Sequence, residues 1–307
     1  MKCLDFGAKR TWHHDRSGHY LVLTAMLIAF GLAQAQPIQV PRYDDADDYL
    51  PNAQKRNKEN ARLFLRQQPT EEIFKVVSPR NVLVDVVANI PKDADVGVVI
   101  VLGGTGVLSI VNDQLDRSFS FQPRTRDFWW LNNMATFVVD APSDRLGKAG
   151  IQDSSWRAGA DHRTDMKAVL DEITKRFKGP IVLFGHSNGA HSLGNMAGIE
   201  NASVKAYLFS SPAHFNNGSD ALRQVSYKLP IIMVEHVKDA CSVSPAKETQ
   251  DFFTALKAEK KKLVWVEGGF DPISGPCGPF AQHSYFGVEK QTVDSMATEI
   301  RKIINQQ

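Results

Sequence analysis

Val96-Gly97-Val98-Val99-Ile100-Val101-Leu102 has no polar side chain at any position. A strand with one wet face alternates, so a run without alternation has to be covered on both faces. That requirement points to a sheet held between helices, and the pattern from residue 72 onward agrees. Two early strands read at Ile73–Val77 and Val82–Ile90. Further β-rich runs lie at Thr136–Val139, Ile181–Phe184, Val204–Phe209, Ile231–Glu235 and Leu263–Val266. Helical spacing appears between them: Met166, Val169, Leu170, Ile173 and Phe177 share one face, and a helix is expected from about Asn188. Thr249–Leu256 reads as another, and Val293, Met296, Ile300 and Ile304 mark a closing one. The expectation is an α/β protein with a mostly parallel eight-stranded sheet, helices on both faces and one domain over 71–307.

Composition removes several alternatives. Of 307 residues, 43% are hydrophobic and 23% charged, an ordinary globular mixture rather than a disordered or low-complexity one. Lys+Arg 36 against Asp+Glu 34 leaves +2, so no basic excess points to nucleic acid. Three cysteines are too few for a disulfide-built scaffold or a four-cysteine zinc site, and no H-E-x-x-H or Cys/His ligand spacing occurs. No G-x-G-x-x-G opens a dinucleotide site. Neither a cofactor nor a metal is expected.

The start of the chain reads as an address. Lys2, Lys9, Arg10 and Arg16 precede a short apolar run, Leu21 to Leu32, and then Ala33-Gln34-Ala35. Charged start, short apolar middle and A-x-A end form a secretory signal over 1–35, with cleavage expected before Gln36. The run is shorter than the ~20 residues a bilayer needs, so no stable membrane anchor is expected after cleavage. A buried N-terminal helix or an uncleaved anchor is the alternative. Cleavage leaves a neutral chain with only Cys241 and Cys277, in a periplasmic or extracellular setting that favours one disulfide. Residues 36–70 form a polar arm whose acidic cluster (Asp44, Asp45, Asp47, Asp48) reads as solvated rather than as a cation site.

Gly185-His186-Ser187-Asn188-Gly189 falls between a buried strand and a helix. A serine at such a junction occupies a very tight turn, and the residues two before and two after it must be small. Gly185 and Gly189 meet that need. The turn lifts the Ser187 hydroxyl off the sheet and points the Asn188 N–H, at a helix start, toward a developing oxyanion. Serine needs a base to take its proton. Of the six histidines after residue 35, only His283 follows the last strand, and position selects it. His186 adjoins the serine and is expected to point away. His191 reads as helix packing, and His214 and His236 rank lower. Asp239, just past Ile231–Glu235, is the expected acid; Glu235 and Asp271 are weaker candidates. Leu102-Gly103-Gly104-Thr105-Gly106 follows the third strand, and the Thr105 N–H, or alternatively that of Gly104, is the expected second oxyanion donor. Cys241 and Cys277 lie near the acid and the base, so a bridge between those two loops is expected.

These residues resemble the α/β-hydrolase superfamily, whose members carry the triad in the order Ser187…Asp239…His283. More narrowly the chain is similar to a group of exported proteobacterial α/β-hydrolases of undefined substrate. The matching pieces are the Gly103–Gly106 loop, Asp140-Ala141-Pro142-Ser143-Asp144-Arg145, the serine turn, Asp239-Ala240-Cys241, and Cys277 followed by His283-Ser284-Tyr285-Phe286-Gly287. That group often has Arg after the serine and Gly after the histidine, where this chain has Asn188 and Ser284. The resemblance implies the α/β-hydrolase fold and serine hydrolase chemistry. About twenty residues separate Val204–Phe209 from Ile231, which leaves little room for a cap. Phe119, Phe121, Trp129 and Trp130 are candidates for lining the pocket, with core packing the plainer role. A carboxylesterase ranks above a peptidase or amidase, and the contrasting expectation is a non-catalytic binding protein on the same fold. The natural substrate and the oligomeric state are left open.

Overall fold

The computed structural model describes residues 70–306, apart from 109, 113, 116–118, 216 and 217. The expected signal peptide over 1–35, its cleavage point, and all of the 36–70 arm but its last residue lie outside the described residues. Eight strands form one sheet. They are β1 (Glu72–Val77), β2 (Leu83–Asn89), β3 (Val96–Val101), β4 (Met134–Val139), β5 (Ile181–His186), β6 (Val204–Ser210), β7 (Ile231–His236) and β8 (Lys261–Val266). Their spatial order is β1-β2-β4-β3-β5-β6-β7-β8. Only β2 runs against its neighbours; every other pairing is parallel. Each expected strand is present.

Among the described residues eight α-helices accompany the sheet. They are α1 (Phe121–Arg124), α2 (Arg126–Leu131), α3 (Ser154–Arg157), α4 (Ala160–Arg176), α5 (Gly189–Met196), α6 (Ser219–Gln224), α7 (Ala246–Ala255) and α8 (Glu289–Ile304). The period of two in the strands divides the core between the faces. Val99 and Val101 of β3 meet Met166, Val169 and Leu193, from α4 and α5. Val98 and Ile100 meet Trp129, Val293 and Met296, from α2 and α8. All six β3 residues are buried, as their unbroken apolar character requires. Among the described residues the chain between β6 and β7 holds only the six-residue α6 and a two-residue strand. Among the described residues no helix is long and apolar enough to cross a membrane.

One core residue ties stability to pH. His162 of α4 is 2% exposed, packs against the Trp156 ring at 4.9 Å, and neither ring nitrogen has a hydrogen-bond partner. Burial, with the positive charges of Arg157 and Arg80 added, lowers its pKa from 6.5 to about 3. Below pH 6.5 the unfolded chain binds a proton here that the folded chain refuses, so the contribution is full above that pH and is lost as pH falls toward 3. By pH 5 the loss reaches about 2 kcal/mol. His162→Phe keeps a ring and removes the proton. Thermal melts from pH 7 to 5 are expected to lose less stability in this variant than in the wild type; parallel curves would contradict the assignment.

Candidate functional site

Four strand ends, those of β3, β5, β7 and β8, build the site. β5 stops at His186 and α5 starts at Gly189, so Ser187 sits on a turn with φ 52°, a left-handed conformation that a side chain normally avoids. Contacts on both sides hold it there. The Ser187 N–H donates to the Ser210 carbonyl at 3.0 Å, and the Ser187 carbonyl accepts from Ala213 N–H at 3.0 Å. The neighbours have no room for a side chain. A Cβ on Gly185 would stand 2.6 Å from the Gly189 carbonyl oxygen, and one on Gly189 would stand 2.4 Å from that of Val101. Ser187 lines a cavity of about 420 Å³, together with Gly103, Gly104, Asn188 and His283.

His283 arrives on a single turn, Gln282–Ser284, after β8 and is buried. Its Nδ1 lies 2.8 Å from Asp239 Oδ2, which leaves Nε2 as the ring nitrogen not held by the acid. Ser244 Oγ bridges the pair, 3.0 Å from Asp239 Oδ2 and 2.9 Å from His283 Nδ1. The Cys241 N–H donates to Asp239 Oδ1 at 2.7 Å. Burial alone would raise the Asp239 pKa, but the charge and hydrogen bond of His283, with the Cys241 N–H, hold it below the usual carboxylate range.

Glu235, the competing acid, lies beside Asp239 and shares a side-chain hydrogen bond with it. It accepts from Ser211 Oγ (3.1 Å), the His236 N–H (3.1 Å) and Thr249 Oγ1 (3.3 Å). Burial, and then the neighbouring Asp239 charge, push its pKa well above the ordinary value. Of two buried carboxyls side by side, Asp239 is therefore the one held toward its ionised form and Glu235 the one pushed toward its protonated form. Asp271 is exposed.

The loops that carry Asp239 and His283 are joined. Cys241 and Cys277 form a disulfide, with Cα atoms 4.5 Å apart. The His283 loop is anchored twice more. Tyr285 donates to the Val234 carbonyl at 2.9 Å, and Arg124, fully buried, pairs with Glu289 at 2.6 Å and reaches the Ser284 carbonyl at 3.4 Å. Removing one member of such a buried pair typically costs about 3–5 kcal/mol.

Histidine 186 corrects an expectation. Its ring does not point away from the site but lies 4.8 Å from the His283 ring and 5.2 Å from that of Phe121. The strand period puts it on the same face as Phe184, and that face is the one covered by the His283 loop and α8. Its Nδ1 lies 3.1 Å from Ser210 Oγ. Burial drives its pKa well down, and the His283 charge adds to this, so it stays neutral beside His283. His191 is buried on α5, His214 meets Thr249 Oγ1 at 3.0 Å, and His236 meets the Gly268 carbonyl at 3.0 Å.

At the β3 end, Gln122 of α1 completes the strand edge. It donates to the Val101 carbonyl at 2.7 Å and accepts the Gly103 N–H at 3.2 Å. The Gly103 N–H is thereby occupied, and the next N–H groups, those of Gly104 and Thr105, follow in the loop. Gly104 is on the cavity wall; Thr105 is not among its lining residues. Asp140, from the matching segment after β4, accepts the Leu108 N–H at 2.7 Å and so holds the far side of this loop. Phe121 lines the cavity, whereas Trp129 is buried against Phe184 and Trp130 donates to Thr136 Oγ1 at 2.8 Å. Phe119 stacks edge-on with Phe280 and is not on the wall. Among the described residues, one cluster has metal-ligand spacing: Asp239, Cys241 and His283. Its sulfur is committed to the disulfide and its other two members to each other.

No protein-family model matches the sequence, and no curated protein matches it either. Solved structures do resemble it. A dienelactone hydrolase from Anabaena variabilis aligns with TM-score 0.53 and 16% identity over 75% of this chain and 96% of its own. An esterase from Pyrococcus furiosus aligns with TM-score 0.51 and 12% identity over 77% of this chain and 92% of its own. A Butyrivibrio proteoclasticus protein solved with ferulic acid bound aligns with TM-score 0.52 and 16% identity over 75% and 99%. At these identities the likeness is one of fold. With the strand order and the serine turn between β5 and α5, it establishes that this chain has the α/β-hydrolase fold.

Proposed function

We propose that the protein is a serine hydrolase that cleaves carboxylic esters through an acyl-enzyme. One observation carries this reading: Ser187 and His283 share the wall of one cavity while the far nitrogen of His283 is bonded to Asp239. In this scheme the Ser187 hydroxyl oxygen attacks the ester carbonyl carbon, and its proton passes to His283 Nε2. Asp239 fixes the tautomer and stabilises the imidazolium. The N–H of Asn188 and that of Gly104 or Thr105 receive the negative charge on the former carbonyl oxygen. Collapse breaks the carbon–oxygen bond of the ester, and the leaving alkoxide takes the proton from His283. Water then attacks the acyl-enzyme, losing its proton to the same nitrogen, and the acid product leaves with Ser187 restored.

Several of the fold's neighbours are esterases, which favours esters over amides as substrates. The absence of a large insert between β6 and β7 favours soluble or readily accessible esters. The Cys241–Cys277 bond supports an exported chain, in keeping with the leader read over 1–35 and with the group of exported hydrolases it resembles.

A fluorophosphonate probe is expected to label the purified wild type and to leave Ser187→Ala unlabelled. A folded wild type that takes no label would favour the binding-protein alternative. Turnover of short-chain esters should exceed that of aminoacyl amides; the reverse order would make the protein a peptidase.

The two buried carboxyls respond differently to neutral replacement. Asp239→Asn removes the charge behind His283 and is expected to lower kcat by about 10⁴-fold. Glu235→Gln replaces a protonated acid by a neutral isostere and should hold kcat within a few-fold. Equal losses in the two variants would show that the acid has been assigned to the wrong residue.

A further inference from the structure

Arg157 closes α3 with its side chain fully buried, and no carboxylate is among its partners in the described residues. A guanidinium out of water and without a counter-charge is costly, so chains seldom retain one without use for it. Here its donors go to three neutral acceptors. Nε donates to the Ile151 carbonyl at 2.7 Å, Nη1 to Ser192 Oγ at 2.8 Å, and Nη2 to the Gly104 carbonyl at 3.2 Å. Burial lowers its pKa to about 9, which keeps it charged at neutral pH.

Two of those acceptors, Gly104 and Ser192, belong to the two segments that flank the oxyanion position. Gly104 lies in the loop after β3. Ser192 lies on α5, one helical turn beyond Asn188. A second path closes the ring: the Ile151 N–H donates to the Thr105 carbonyl at 2.7 Å, while the Ile151 carbonyl accepts from Arg157. The backbone of Arg157 is tied down as well, since Asn195 Nδ2 of α5 donates to its carbonyl at 2.8 Å. The fit leaves no slack. A Cβ on Gly106 would stand 2.4 Å from Ile151 Cγ1 and 3.1 Å from Arg157 Nη2.

We propose that Arg157 is a positioning residue for ester hydrolysis, a buried cation that sets the oxyanion donors of the β3 loop and α5 at a fixed separation and polarises the Gly104–Thr105 peptide. The inference rests on the function proposed above. In a trans peptide the C=O and N–H point in opposite directions, so holding the Gly104 carbonyl fixes where the Thr105 N–H points. It also fixes the ψ of Gly104 and so limits the swing of that residue's own N–H. A cation on the carbonyl draws electron density from the peptide and makes its N–H a stronger donor. The effect is largest when the substrate oxygen becomes negative, so it acts on the transition state more than on the bound ester.

The test compares Arg157→Lys, Arg157→Ala and Ser192→Ala with the wild type, using a short-chain ester and fluorophosphonate labelling. Arg157→Ala is expected to lower kcat about 10–100-fold, below the 10²–10³ typical of losing a donor outright, with KM within about twofold. Arg157→Lys keeps the charge without the fork and should fall between Arg157→Ala and the wild type. Ser192→Ala removes one acceptor, leaves the cation, and should lose several-fold in kcat; it serves as the informative variant should the Arg157 variants fail to fold. Free guanidinium at non-denaturing concentration is expected to restore part of the kcat and labelling rate of Arg157→Ala, a rescue that a purely structural role would not give. Folded variants with wild-type kcat, or losses confined to melting temperature, would overturn the assignment. A wild type that neither takes the probe nor cleaves the ester would instead remove the serine hydrolase reading on which it rests.

Discussion

Every group at this site is placed relative to one unfavourable backbone conformation. Ser187 stands at φ 52° because β5 must hand the chain to α5 within two residues, Ser187 and Asn188. Strain of this kind costs of order 1–3 kcal/mol and lasts only where the surroundings over-determine it. The surroundings do so here. Gly185 and Gly189 leave no space for any other packing, β6 accepts the Ser187 N–H, and α5 lies against the end of β3. The same packing brings the Gly103–Gly106 loop beside the serine. A Cβ on Gly103 would stand 2.8 Å from the His186 carbonyl oxygen and 3.1 Å from Ser187 Cβ.

The electrostatics around that turn are sorted by burial rather than by exposed ion pairs. Two carboxyls meet at the end of β7, and the one bonded to His283 keeps the charge. Two imidazoles stack, and the one enclosed between Phe121 and His283 stays neutral. One cation, Arg157, is enclosed beside the Gly103–Gly106 loop with no acid among its partners in the described residues, while another, Arg124, is enclosed with one beneath the His283 loop. In low dielectric each of these choices weighs more than it would at the surface.

Much of the fold was legible because buried strands have little freedom in composition. β3, β5 and β7 read as apolar runs since both their faces are covered, and the long helices α4 and α8 showed their inward stripe. The helices α1, α2, α3 and α6 did not read, being only four to six residues long, too short for a 3.6-residue period to declare itself. The site was legible where a residue type is forced. Glycines beside Ser187 and a lone histidine after β8 follow from sterics and chain order. Ser244, Gln122 and Arg157 have no such signature. A serine five residues past an aspartate, a glutamine after a phenylalanine and an arginine after a tryptophan are common in any chain, and only packing reveals that each is enclosed and bonded. His186 lies against His283 because the strand's alternation runs two residues past the apolar run Ile181–Phe184 and sets its ring on the Phe184 side.

The Cys241–Cys277 bridge alters which distances in this site are able to vary. It fastens the loop bearing the carboxylate to the loop bearing the imidazole, and Tyr285 and Arg124 then moor that pair to the sheet and to α8. Thermal motion that displaces either loop carries the other with it, so the spacing of the acid and the imidazole is the stiff coordinate.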